Sequence, residues 1–261
     1  MEAQDQGVPG STRRIDADRW RTAQAAELEL WQRAQQKHGV RRLVWPLVRP
    51  ILRLVGSRKV TGDDWNLWWA RQFDDYAFLP HGLGDFIELG CGPYTNTRLI
   101  VRGRETSRIV CSDPLAAEYV GFHGRWLAEA HKRGFVEIDD HPIEEIPFPD
   151  ESFDVVVMIN VLEHVQDADA CMEKAAALTK PGGWLIVSSR VIEPDAAAKL
   201  DFDVWHPIRI TVEEIERHLG SFAPTLRKVL PPSAAPVPDE RFATFLFAGE
   251  KRDQDRETTR P

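Results

Sequence analysis

Cysteine is scarce: 261 residues carry three, and Cys91, Cys111 and Cys171 share no metal-ligand spacing. Neither a disulfide scaffold nor a zinc framework is expected, and a reduced, cytoplasmic setting is. Long apolar runs are missing too. No stretch reaches the ~18 apolar residues of a membrane span, and residues 1–15 are polar, without the apolar centre of a signal peptide. There is no internal repeat. Positive charge is in deficit, since 33 Lys and Arg against 41 Asp and Glu give −8, which argues against a general nucleic-acid binder. Acidic residues in turn vanish locally. Between Leu30 and Gly62 there is none, while Arg33, Lys37, Arg41, Arg42, Arg49, Arg53, Arg58 and Lys59 are basic.

What is present divides the chain. Residues 1–15 and 251–261 read as polar, disordered tails, 16–80 as a helical cap, and 81–250 as an α/β domain. In the cap, Trp20, Ala23, Leu28, Leu30, Trp31 and Ala34 recur at helical spacing over Asp16–Lys37, although Glu27 falls inside their face. Pro46 and Pro50 should interrupt any long helix, and an aromatic helix is expected over Trp65–Phe78. Beyond the Pro80-His81-Gly82 turn, apolar strands alternate with helices. Strands are expected at Asp85–Leu89, Arg108–Ser112, Phe135–Ile138, Asp154–Ile159 and Trp184–Ser189. A closing pair follows at Thr225–Leu230 and Phe242–Ala248. Helices are expected at Pro114–Arg133 and Asp167–Thr179, with a tight turn at Pro181-Gly182-Gly183.

Chemistry concentrates at the first two strand ends. The run Asp85-Phe-Ile-Glu-Leu-Gly-Cys-Gly breaks from a buried strand into Gly-x-Gly, and Asp113 ends the next strand about twenty residues later. Glycine permits the sharp turn and lets a ligand approach the main chain. An acid at the neighbouring tip can accept from both hydroxyls of a ribose. The pair describes a pocket for an adenosine-containing cofactor. Tyr94 stands where a nicotinamide dinucleotide site wants a third glycine, which weakens the dehydrogenase reading; its ring must point away or form a pocket wall. Asp113 could instead only cap the helix beginning near Pro114.

These residues resemble a known family. Glu88-Leu-Gly-Cys-Gly-Pro, Asp113, Ile146-Pro-Phe-Pro-Asp-Glu-Ser-Phe-Asp-Val-Val, Asn160-Val-Leu-Glu-His-Val and Lys180-Pro-Gly-Gly-Trp are similar to class I S-adenosylmethionine-dependent methyltransferases, in order, over residues 80–250. The resemblance is to the small-molecule subgroup. It implies a Rossmann-like seven-stranded, mostly parallel α/β sheet with the helical cap at its N-terminus, and S-adenosylmethionine as cofactor. The implied cofactor contacts are Glu88, Gly90, Cys91, Gly92, Asp113, Asn160 and, at the adenine edge, Asp140 or His141. The expected reaction is methylation of a hydroxyl, less readily an amine, on a small molecule such as a sugar or secondary metabolite. A silent cofactor- or partner-binding module is the alternative.

A hydroxyl acceptor needs a base, and histidine is the natural group near neutral pH. His206, after the fifth strand, and His164, one turn past Asn160, are the candidates; His123, His131 and His218 are expected on solvated helix surfaces. Arg190 is positioned either for an anionic substrate or to neutralise Glu193 and Asp195. The basic, tryptophan-bearing stretch 33–59 reads as a solvated cap surface or as a peripheral contact with an anionic membrane.

Overall fold

The computed structural model describes residues 11–54, 62–193 and 203–253, with the backbone alone for 36–54. Its centre is a seven-stranded sheet of order β3-β2-β1-β4-β5-β7-β6. The strands are β1 (Asp85–Leu89), β2 (Arg108–Ser112), β3 (Glu137–Asp139), β4 (Phe153–Ile159), β5 (Thr179–Val191), β6 (Phe222–Leu230) and β7 (Ala243–Lys251). The first five pair in parallel, and β7 pairs antiparallel with both β5 and β6.

The continuous apolar character of the central strands has a direct cause. Successive side chains point to opposite faces, and both faces are covered. Ile87, Leu89, Val156, Met158, Leu185 and Val187 join one core, with Met172 and Ala175 of α6 (Ala168–Leu178). Phe86, Val155, Val157, Ile159 and Ile186 join the other, with Trp69 of α2 (Gly62–Gln72) and Leu127 of α5 (Trp126–Lys132). Each fully buried strand residue of this size contributes about 1.5–3 kcal/mol of burial. The chain leaves β1 for β2 on one side and reaches β4 on the other. This reversal opens a crevice beyond the strand tips.

Several elements differ from the sequence expectation. Helix α1 runs from Ala17 to Leu54 as one element, past Pro46 and Pro50. Each proline removes one amide donor, and their spacing of four puts both losses on one side of the helix. The aromatic helix ends at Gln72 and continues as a 3₁₀ turn, Asp74–Tyr76. After α3 (Thr97–Ile100), the long helix expected over 114–133 is instead α4 (Ala116–Tyr119) and α5. They are parted by Gly121 and Gly124, the latter at φ +74°. The Pro181-Gly182-Gly183 segment is a bulge inside β5: Phe153 pairs with Thr179, but Val155 pairs with Trp184. A short α7 (Val212–Glu216), unforeseen, is started by a capping box between Thr211 and Glu214. His218, expected in solvent, lies 2.9 Å from Asp169 through Nε2.

Among the described residues no helix is long and apolar enough to cross a membrane. The membrane-contact reading of 33–59 falls almost wholly on side chains outside the described ones.

Candidate active site

A cavity of about 610 Å³ opens where β1, β2, β4 and β5 end, and Gly90, Asp113, Asn160 and Arg190 from those four tips all line it. Its floor is the glycine loop. Gly90 lies at φ +66°, and a Cβ there would meet Val161 at 2.5 Å, so glycine is required by both backbone and packing. Gly92 differs: at φ +56° its missing Cβ would point into open space, leaving bare main chain facing the cavity. Cys91, between them, lines the same floor, and its amide donates to Ser112 O at 2.9 Å. Contact with the Cys111 thiol first, then burial, push its own thiol pKa well above the usual value.

Asp113 is tied to this loop. Its Oδ2 accepts from the Gly92 amide at 3.0 Å and its Oδ1 from the Leu115 amide at 2.9 Å. Asp113 as a residue is 8% exposed. Burial first, then the charge of Glu27, push its carboxyl up to about 7, against the pull of the two amides and His164. The side chain therefore lines the cavity and closes the turn ahead of α4, whose N-cap position is Leu115 and has no side-chain cap, so Asp113 is not the helix cap considered from sequence.

Glu88 sits elsewhere. It is 1% exposed beneath the loop and does not line the cavity. Its oxygens accept from the Asn96 amide at 3.0 Å, the Asn96 side chain at 3.1 Å, the Thr97 amide at 2.9 Å, and the Thr95 and Thr97 hydroxyls. The carboxylate is consumed in holding the loop and the start of α3. Asp140 and His141 are exposed and also stand off the cavity wall. The His141 ring bonds Asp139 at 3.0 Å, which raises its pKa; the neighbouring Pro142 and Ile143 are the residues that reach the cavity. Asn160 does line it, at φ +60°, a left-handed conformation that Asn tolerates, with its amide on Ser188 O at 2.8 Å.

Helix α1 closes one side. The Trp20 indole donates to His164 O at 3.2 Å, and the Gln24 amide reaches the same oxygen at 3.4 Å. Glu27, the break in the apolar stripe, faces the cavity and accepts from the Trp31 indole at 3.2 Å and the Tyr119 hydroxyl at 3.4 Å. Its other oxygen lies 3.8 Å from His164 Nδ1. Tyr94 is a wall, its ring centroid 5.5 Å from that of Trp31, with the Arg125 guanidinium 4.0 Å above it. From α2, the Asn66 side chain donates to Thr95 O at 2.9 Å and locks the cap onto the loop.

Both candidate bases reach the cavity, with ring centroids 4.9 Å apart. His206 Nδ1 lies 2.8 Å from Asp203 Oδ2. A carboxylate only accepts, so Nδ1 carries the hydrogen and Nε2 keeps its lone pair. That lone pair faces Arg190 Nη1 at 3.5 Å. Burial, then His164, lower the pKa of His206, against the opposing pull of Glu163 and Asp203. Arg190 donates through Nη2 to Asp239 at 3.0 Å and lies 4.1 Å over the Phe242 ring. Among the described residues its partner is thus Asp239 rather than Glu193; Asp195, also considered from sequence, lies outside them.

Glu27, Asp203, Asp239 and Phe242 were not singled out as site residues in the sequence. Glu27 alone left a signal, as a charge inside an apolar face. The other three lie in loops or at a strand start, where no periodicity marks a direction.

Residues 87–187 match the family described as a methyltransferase domain. The chain is 46% identical over 112 residues to a ubiquinone biosynthesis O-methyltransferase of Rhodopseudomonas palustris, covering 40% of this chain and 38% of that protein. It is 26% identical over 129 residues to the 27-O-demethylrifamycin SV methyltransferase of Amycolatopsis mediterranei, covering 46% and 44%. It spans about half or less of the length of these curated relatives. Among solved structures, the N-methyltransferase NodS of Bradyrhizobium japonicum with S-adenosyl-L-homocysteine aligns at TM-score 0.54 and 16% identity, covering 74% of this chain and 94% of that one. Geranyl diphosphate methyltransferase in complex with SAM aligns at 0.55 and 14%, covering 71% and 85%. At these identities the likeness is one of fold. The matched segment runs from the middle of β1 into β5, through the glycine loop and Asp113, and over that stretch the chain is similar to S-adenosylmethionine-dependent methyltransferases.

Proposed function

We propose that this chain transfers a methyl group from S-adenosylmethionine to a hydroxyl of a small molecule. The observation that carries the reading is the 3.0 Å bond joining Gly92 to Asp113 at the floor of the cavity, beside main chain with open space above it. The residues suit a ligand rich in donors. Asn96 Oδ1 and Gln24 Oε1, both of cavity-lining residues, are buried acceptors without a hydrogen-bond partner among the described residues. Such groups cost about 1–3 kcal/mol each when left unmatched. Asp113 would hold the ribose hydroxyls, the Gly90–Gly92 main chain the amino-acid end, and Pro142 and Ile143 would flank the adenine.

S-adenosylmethionine supplies a methyl group on a sulfonium, which already leaves readily. The chain's own work is then positioning and proton removal. The cap and the aromatic walls exclude water. His206, oriented by Asp203, would take the hydroxyl proton on Nε2, and His164 holds the adjacent wall. The two curated relatives named above carry O-methyl names, which favours oxygen over nitrogen.

Calorimetric titration with S-adenosylmethionine and S-adenosylhomocysteine, followed by turnover on hydroxyl and amine acceptors, tests this. Both ligands should bind one per chain, and methyl should appear on oxygen. Binding of neither ligand ends the reading.

A further inference from the structure

We propose that the acceptor is an amphiphile: an acidic hydroxyl, phenolic or enolic, carried on an apolar body that leaves the cavity across Leu30, Trp205 and Val237. This names the acceptor within the methyl transfer proposed above and rests on it.

The rim gives the apolar body. Leu30, Trp205 and Val237 are 49%, 45% and 57% exposed, half of the six large apolar side chains that stand in solvent among the described residues. They come from three separate segments, α1, the stretch before α7 and the β6–β7 connection, yet all three line the one cavity. A lone exposed apolar residue needs no cause, but three converging on one mouth mark a surface that a ligand covers. A sugar would leave them wet.

The interior gives the acidity. Arg190 is fixed against Phe242 at 4.1 Å and to Asp239 at 3.0 Å, which brings its Nη1 to 3.5 Å from His206 Nε2. A guanidinium beside the base receives an oxyanion as it forms. It does little for a hydroxyl that never ionises. Burial and His164 leave His206 a weaker base than free imidazole. A phenol titrates near ~10, whereas an aliphatic hydroxyl lies nearer the ~15.7 of water. The proton of the first passes to such a base far more readily. In the step, the hydroxyl proton passes to His206 Nε2, and the oxygen pair forms the bond to the methyl carbon. The former carbon–sulfur pair stays on sulfur, so the sulfonium becomes a neutral thioether.

The test uses the full chain loaded with S-adenosylhomocysteine, titrated with 4-alkylphenols and the matching 4-alkylcyclohexanols from ethyl to octyl, read by tryptophan fluorescence. Each phenol should bind at least about tenfold tighter than its cyclohexanol, and each added methylene should tighten binding about fourfold. Leu30→Ser with Val237→Ser should flatten the chain-length series. Arg190→Met should abolish the phenol preference while S-adenosylhomocysteine affinity and circular dichroism are kept. Equal affinities within the pairs, or a series indifferent to length, would overturn the inference and leave the methyl-transfer reading standing. Failure of S-adenosylhomocysteine to bind would remove both.

Discussion

Replacing Glu27 with glutamine should strengthen S-adenosylhomocysteine binding in mildly acidic solution. The reason lies in Asp113, whose carboxyl is pushed from 3.8 up to about 7 by burial and then by the charge of Glu27. On the proposed reading ribose hydroxyls would donate to the ionised form, so ligand binding would compete with the proton. With a single group near 7, affinity is level above pH 8 and weakens tenfold per unit well below neutrality, a loss of about 30-fold by pH 5.5. Removing the Glu27 charge lowers the Asp113 pKa, moves the break to lower pH and recovers part of that loss. The sign for stability runs the other way. Because the folded value lies above the unfolded one, the ligand-free chain holds an extra proton between about pH 4 and 7. It therefore loses stability as the pH rises through that window. Calorimetry between pH 5.5 and 8.5, in two buffers of different ionisation enthalpy, reads both affinity and proton release, which should be about half a proton near pH 7. An affinity flat across this range, or a variant indistinguishable from the parent at every pH, would refute the reasoning.

Three further outcomes follow from the geometry. His206→Ala should lower kcat about 10²–10⁴-fold with S-adenosylhomocysteine affinity unchanged, as single-turnover rates and calorimetry would show. Gly90→Ala and Gly92→Ala should part company: the first drives a methyl into Val161 and lowers Tm, at a cost of about 1–3 kcal/mol. The second adds strain of about 1–2 kcal/mol but chiefly fills space the ligand needs, so its loss is in affinity. Glu88→Ala strands the buried amides and hydroxyls of residues 95–97 and should cost about 3 kcal/mol by urea unfolding, with cofactor binding lost only because the loop loosens.

The parts of the fold legible in the sequence are those with one local cause. β1 and β2 end where expected because an apolar run meets Gly90 in one case and Asp113 in the other. The helix over 114–133 misled because its apolar spacing continues across Gly121 and Gly124, and only the positive φ of Gly124 reveals the break. In the site, Gly90, Cys91, Gly92, Asp113, Asn160, His164 and His206 do converge on one cavity. Glu88, Asp140 and His141 do not. The acid at a strand tip can point above or below the loop that follows it, and sequence carries no sign of which. For Glu88 the deciding partners are Thr95, Asn96 and Thr97, which surround it only once the loop has folded back. Asp203 and Asp239 acquire meaning only through His206 and Arg190, contacts that no spacing encodes.

The cavity has two authors. Its glycine floor and Asp113 lie within the stretch shared with the methyltransferase domain family, residues 87–187. Leu30, Arg190, Trp205, His206, Val237 and Phe242 all lie outside it, on the flanks. On the proposed reading, donor recognition and acceptor choice are thus written in different lengths of chain. Exchanging the flanks between relatives while leaving the shared stretch in place would redirect which molecule is methylated without rebuilding the donor's seat.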